Sequence, residues 1–217
     1  MSVATTGMRR PTDRSAGAGW RVAAALLVLS LIPLSAGALR LVQLSGGPEI
    51  IPADDRFAGF PAALVVHILG SLVFALLGLL QLVAPFRRRH RAWHRRAGRV
   101  VALAGLAVCG SALWLTLGYE PQPGTGPVLF VTRLVVGPAM AVFLALGISA
   151  IRRRDIDAHR AWMVRSYAVG LGAGTQAFTE GAVEGVIGTG VLSGDLAKLA
   201  GWAINLAVAE WAIRRRP

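Results

Sequence analysis

Six long apolar stretches, separated by short breaks rich in glycine, proline and charge, limit what this chain can fold into. A membrane-spanning helix needs about 20 mostly apolar residues, because lipid offers no hydrogen-bond partners to the backbone. We therefore expect an all-α fold, a polytopic bundle of six transmembrane helices within a single membrane domain, residues 20–213. The expected spans cover 20–44, 61–86, 99–117, 127–151, 161–186 and 197–213.

The composition excludes two broad classes of protein. Only 16% of the residues are charged, against roughly 25% in a soluble domain, so a water-soluble globule is not expected. The net charge of +12 would suit a nucleic-acid binder, but the charges lie in the breaks between apolar stretches and do not follow one face. We therefore expect no nucleic-acid partner. No nucleophile–base pair, phosphate loop or dinucleotide fingerprint is visible, so no enzyme class is predicted.

The arginines predict the orientation of the chain. They concentrate in a basic tail (1–19), in the turns around 87–99 and 152–165, and in the basic end (214–217). The alternate breaks carry acidic residues. Basic loops remain in the cytoplasm, so both termini are expected there, in a multi-pass protein of a prokaryotic cell membrane whose arginines contact anionic lipid headgroups. The acidic residues are Glu49, Asp54, Asp55, Glu120 and Asp195.

The first apolar stretch has a second interpretation. Its basic start and the small residues SAGA (35–38) resemble a signal peptide cleaved after Ala38. The stretch is long for a signal peptide, so a retained span is preferred. The topology of the remaining chain is the same in both cases.

The tetrapeptide HRAW occurs twice, at 90–93 and 159–162, each time after an RRR run and before a span. This echo suggests that spans two and three are a structural copy of spans four and five, as in parallel repeats. A chance match in arginine-rich turns is the alternative.

His94 and His159 are candidate axial ligands of a haem b, since both are expected at one depth at the cytoplasmic boundary. The flanking arginines suit haem propionates better than a metal dication, so no metal site is predicted. The other interpretation is that these are interfacial histidines bonded to backbone or headgroups. His67 lies too far away to share an iron, and a two-haem arrangement would lack one ligand.

Ionisable residues inside spans are costly and are expected to face partners or water. In the outer half, Arg133, Glu180 and Glu184 could form a polar cavity with His67 and Gln176. In the inner half, Arg165 and Glu210 are predicted to approach each other. The alternative is that all of these are fixed pairs that hold the bundle together.

The fifth stretch is the least lipid-like, because five glycines and several polar residues lie within it. We expect it to be central, closely packed and kinked. Its glycines form two small-xxx-small faces, one at Gly170 and Gly174 and one at Gly181 and Gly185.

Five strings occur in the order found in the DUF2306 family of predicted prokaryotic membrane proteins, which the chain resembles over 56–210. They are RFAGFPAALVVHILG (56–70) and the glutamine of span two, followed by HRRAGR (94–99), HRAWMVRSYA (159–168) and WAINLAVAE (202–210). The resemblance implies a multi-span membrane protein of uncharacterised biochemical function. The chain departs from the family pattern at TQAF (175–178), where the pattern has an arginine. Motif positions that the resemblance assigns include His67, Gln81, His94, Arg99, His159, Arg165, Asn205 and Glu210.

Three hypotheses for function follow. The preferred one is a membrane component of uncharacterised function whose polar residues are structural. The second is a haem-binding or redox protein that uses His94 and His159. The third is a transporter or proton-relay protein with an outer polar cavity.

Overall fold

The structure, which is a computed structural model, describes residues 12–57 and 61–215, with side chains from residue 19 onward. Within these ranges every regular element is helical, as the apolar stretches predict. A single 3-10 turn at Asp55–Phe57 interrupts the connection between the first two helices. The α-helices are α1 (Thr12–Leu44), α2 (Ala62–Leu82), α3 (Ala84–Arg89), α4 (Arg91–Gly118), α5 (Pro127–Arg152), α6 (Ile156–Gly170), α7 (Gly172–Ile187) and α8 (Val191–Arg214).

Five of these helices are long and apolar enough to cross a membrane: α1, α2, α4, α5 and α8. The segment expected as the fifth span, 161–186, consists instead of two shorter helices, α6 and α7, that meet at Leu171. The expected kink is therefore a break of one residue, Leu171, between two helices. Six crossings stay a prediction.

Two expected boundaries are also different. The span expected at 61–86 ends at Leu82, and residues from Ala84 form the separate helix α3, where a proline and three arginines end the apolar run. The helix expected at 99–117 begins earlier, at Arg91. Most of the predicted basic tail (1–19) and the last two residues of the basic end lie outside the described residues.

Contacts between helix ends and turns divide them into two groups, one at each end of the bundle. At one end, Trp20 near the start of α1 contacts Phe86 of α3, with ring centroids 6.4 Å apart. We call this end, which also holds the turns 87–99 and 152–160, the arginine-rich end. At the opposite end, the Arg56 Nη1 group donates to the carbonyl of Glu120 over 3.3 Å.

Arg56 also organises the loop before α2. Its guanidinium donates to both Asp54 carboxylate oxygens, over 2.8 and 2.5 Å. This hydrogen-bonded pairing lowers the pKa of Asp54 below its ordinary value. These hydrogen bonds hold the loop in place at the end of the bundle opposite the arginine-rich end.

The core is apolar and lies where α2, α4, α5 and α6 meet. Phe74, Leu144 and Tyr167 are buried at its centre. Many large apolar side chains point outward, as in Leu103 and Val135, which are 68% and 62% exposed. An outer surface of this kind is suited to lipid and not to water.

Asp195 of α8 joins two helix starts at the opposite end. Its side chain is 1% exposed and accepts from the backbone N–H groups of Gly126 and Leu129 over 2.9–3.1 Å. These N–H groups open α5 and have no partner within that helix. A carboxylate there also interacts favourably with the helix dipole. Asp195 is therefore an N-cap supplied by another helix.

The HRAW echo does not occupy equivalent positions in the structure. His90 precedes α4 as its cap, whereas His159 is the fourth residue of α6. The fourth residue of α4 is His94. By position within its helix, His94 and not His90 corresponds to His159, and the repeat of spans stays a prediction.

Candidate functional site

A cavity of about 180 Å³ lies between α1, α2 and the break that separates α6 from α7. Polar groups in its wall come from Ser30 on α1 and from His67 and Ser71 on α2. The break contributes Gly170, Leu171 and Gly174 to the wall. The rest of the wall is apolar and includes Pro33, Leu34 and Leu72.

Side chains and backbone of neighbouring helices pack closely against the break. A Cβ added at Gly172 would collide with the Trp202 indole, and one at Gly174 would collide with the Leu29 carbonyl. The Asn205 Nδ2 group donates to the carbonyl of Ala168 over 3.0 Å, one turn before the break. Neighbouring helices thus bind the backbone that the break disturbs.

The hydrogen bonds of His67 determine which of its ring nitrogens can take a proton. Its Nδ1 lies 3.2 Å from the Ser111 Oγ. The single hydroxyl hydrogen of Ser111 is directed to the carbonyl of Ala107, 2.7 Å away. In the tautomer in which the His67 Nδ1–H donates to Ser111, Nε2 is the basic nitrogen.

The groups around His67 come from each helix packed against it. On α4 its partners are the Ser111 hydroxyl and the backbone of Val108, and Arg133 on α5 is near enough for its charge to act on the ring. On the α1 and α7 sides, the described cavity wall contributes a hydroxyl from Ser30 but no charged residue.

The outer cavity expected from Arg133, Glu180, Glu184 and His67 is not a single space. Glu180 pairs with Lys198, with 2.6 Å between Nζ and Oε2. Glu184 is exposed, and together with Glu180 it lines a separate, shallow depression near the start of α8. Arg133 is half-buried and lies within electrostatic range of Asp195 and Glu180.

Gln176 and its neighbours join α7 to α8. The Gln176 Nε2 group donates to the carbonyl of Lys198 over 3.0 Å. The Thr179 hydroxyl donates to the carbonyl of Ala197, and the Thr175 hydroxyl to the Asn205 Oδ1, both over 2.7 Å. These bonds between helices explain why the least lipid-like stretch carries so many polar residues.

Arg165 and Glu210 approach each other, as the sequence predicts. The Nε and Nη2 groups of Arg165 donate to the two carboxylate oxygens of Glu210 over 2.5 and 3.0 Å. The guanidinium also lies over the Trp162 ring, 4.6 Å from its centroid. The arrangement joins α6 to α8.

His94 and His159 come close enough for their charges to interact. The His159 Nδ1 is 2.8 Å from the carbonyl of Gly147, which leaves its Nε2 available. Gln81 reaches the same face of α4, since its Oε1 lies 3.8 Å from the place of a Cβ at Gly98. Arg99 lies on α4 with an exposed side chain.

Haem binding by His94 and His159 stays a prediction. Among the described residues there is no group of three or more His, Cys, Asp or Glu side chains that could hold a metal ion.

The sequence predicted a kink in the fifth stretch but not its position at Leu171. It gave no indication of Ser30 or Ser111. A serine inside an apolar stretch gives almost no signal, because it can bond to the carbonyl four residues earlier and remain in lipid. Only the packing of α1 and α4 against α2 places these hydroxyls near His67.

The family comparison matches residues 64–213 with the predicted membrane proteins of DUF2306. The chain belongs to this family. The match covers helices α2 to α8 almost entirely, so His67 and the helix break lie in the part that defines DUF2306. Ser30 and the rest of α1 lie outside it. No curated protein and no solved structure is significantly similar to the chain.

Proposed function

We propose that this DUF2306 protein moves protons through the membrane, with His67 as the group that takes up and releases them. The observation that carries the proposal is the cavity in which His67 faces a broken helix. Discontinuous helices are used by many transporters to form sites near the centre of the bilayer. An ionisable residue at such a place is more often functional than structural.

The cavity has a suitable size for this role. At about 30 Å³ for each water, 180 Å³ holds about six. The hydroxyls of Ser30 and Ser71 supply further hydrogen-bond partners. A neutral imidazole whose Nε2 is the basic nitrogen can exchange a proton with such water.

The proposal includes a topology. The helices α6 and α7 together form one crossing, since α7 ends beside the depression that Gly124 also lines at the opposite end. With the other five helices this gives six crossings. The arginine-rich end faces the cytoplasm of a prokaryotic cell, where its guanidinium groups contact anionic headgroups.

Proton flux into vesicles tests this function. Purified protein is reconstituted into liposomes that contain a pH-sensitive dye, and a potassium diffusion potential drives proton entry. We expect flux above that of protein-free vesicles, and flux at the protein-free rate for His67→Gln. Val66→Ala is the matched control, because Val66 is the adjacent residue and is 44% exposed on the outer surface.

Two results would refute the proposal. One is an unaltered flux in correctly folded His67→Gln protein. The other is wild-type protein that conducts no faster than empty vesicles.

Haem binding at His94 and His159 is the second candidate function. It is favoured by the contact between the His159 Nδ1 and the Gly147 carbonyl, since histidines that bind iron usually donate their other nitrogen in this way. An absorption spectrum of the detergent-purified protein after haem supplementation tests it. A Soret band that is lost in His159→Ala supports this candidate, and the lack of any Soret band refutes it.

A further inference from the structure

Four buried polar atoms lie in the arginine-rich half without a hydrogen-bond partner from the described chain. They are the Oε1 and Nε2 of Gln81, the Nδ1 of His94 and the Oγ of Ser166. Ser166 is 1% exposed. Buried polar groups are almost always satisfied by protein or by ordered water. Four such atoms in this half of the bundle therefore indicate a polar partner that the described residues do not supply.

The three residues lie on three helices, α2, α4 and α6. Gln81 of α2 faces Gly98, which lies one turn beyond His94 on α4. Ser166 lies two turns beyond His159 on α6, and the charges of His94 and His159 interact. Tyr167, adjacent to Ser166, packs on Gly78, one turn before Gln81.

One stripe of α2 connects this group to the cavity at His67. The residues His67, Ser71, Phe74, Gly78 and Gln81 are spaced by four, three, four and three positions, so they share one face of the helix. From His67 to Gln81 the stripe is about 21 Å long at 1.5 Å per residue. Polar residues occupy its two ends, and Phe74 lies between them.

Phe74 and Tyr167 close the middle of the stripe. They are 4% and 5% exposed, and their ring centroids are 5.7 Å apart. A Cβ added at Gly78 would stand 2.6 Å from the Tyr167 ring, and one at Gly170 would stand 2.5 Å from the Phe74 ring. The Tyr167 hydroxyl donates to the carbonyl of Ala75, in the cavity wall, over 2.8 Å.

We infer that Gln81, His94 and Ser166 line a hydrated chamber that opens to the arginine-rich end, and that the Phe74–Tyr167 pair separates it from the cavity at His67. The role of the chamber in proton movement rests on the proposed function. Its hydration does not, because water access can be measured without any flux. Since the pair lies beside the break at Leu171, a small movement of α6 against α7 would connect the two compartments.

Thiol labelling tests the chamber. Ser166→Cys is made in a Cys109→Ala background and reconstituted in vesicles of known orientation. A charged, membrane-impermeant methanethiosulfonate reagent is then added to one face at a time. We expect modification from the arginine-rich face only. Val169→Cys is the matched control, since Val169 lies on the same helix, is 5% exposed and belongs to the apolar core, and it should remain unmodified.

Phe74→Ala in the same background tests the barrier. Removing the ring should make Ser166→Cys reactive from both faces and should increase proton leak through the vesicles. If Ser166→Cys reacts no faster than Val169→Cys in folded protein, the chamber does not exist. If Phe74→Ala leaves the labelling one-sided, the aromatic pair is not the barrier.

These results are distinguishable from failure of the proposed function. His67→Cys in the same background reports on water in the outer cavity independently of Ser166→Cys. If Ser166→Cys is labelled but the protein conducts no protons, the chamber is hydrated and has no role in transport.

Discussion

The ion pair of Arg165 and Glu210 joins two helices of the bundle. Two parallel hydrogen bonds fix the guanidinium against the carboxylate, and the Trp162 ring covers its face. The two side chains are 21% and 34% exposed, so the pair is neither fully solvated nor fully desolvated. Planar, two-pronged recognition of this kind suits arginine and not lysine.

Arg165→Lys should therefore destabilise the protein nearly as much as Arg165→Ala. An ammonium group keeps the charge but loses one hydrogen bond and the stacking on Trp162. We expect a coupling free energy between Arg165 and Glu210 of roughly 1 kcal/mol. Thermal unfolding in detergent of the two single variants and the double alanine variant measures this energy. Additive effects of the single changes would show that the pair contributes nothing to stability.

At the scale of elements, the fifth apolar stretch carries two glycine pairs with different roles, of which one spans the break between α6 and α7 and the other lies on α7. The face at Gly170 and Gly174 meets Phe74 and the backbone of α1, so it allows close helix packing. The face at Gly181 and Gly185 meets open space within 4 Å. The sequence pattern of the two faces is the same, and only their position in the bundle separates them.

Gly172→Ala and Gly181→Ala should have opposite effects. The first adds a methyl group against the Trp202 indole, and overpacking of this kind should lower the free energy of unfolding by about 1–3 kcal/mol. The second adds one into open space within a helix and should raise it by about 0.5–1 kcal/mol. Thermal unfolding of the two variants, measured in one detergent, compares them directly. Equal effects would contradict the packing at the break.

At the scale of the whole molecule, the arginine clusters lie at one end of the bundle and the acidic breaks lie at the other. The start of α1 lies beside α3, and α8 runs from the Asp195 cap at the opposite end to Arg214. The described parts of both terminal helices therefore approach the arginine-rich end. This arrangement is what a charge-directed insertion would produce.

Single cysteines at the two ends should react on opposite faces of the membrane. In the Cys109→Ala background we expect Arg88→Cys and Arg153→Cys to react with an impermeant thiol reagent from the cytoplasmic face only. Gln122→Cys should react from the outer face only. Oriented membrane vesicles, with a permeant reagent as the control for access, give the measurement. Labelling of Arg88→Cys and Arg153→Cys from different faces would contradict the six-crossing topology.

The sequence alone determined the all-helical fold, the approximate position of most helices, the family and the approach of Arg165 to Glu210. The family follows from the motifs. The helices and the ion pair follow from the lipid environment, because long apolar stretches and buried charges leave a chain few alternatives there. Only the tertiary structure placed His67 against Ser111, made Asp195 a cap for α5 and broke the fifth stretch at Leu171. Each of these depends on contact between residues distant in sequence, such as Trp202 against Gly172, and no local pattern records such contacts.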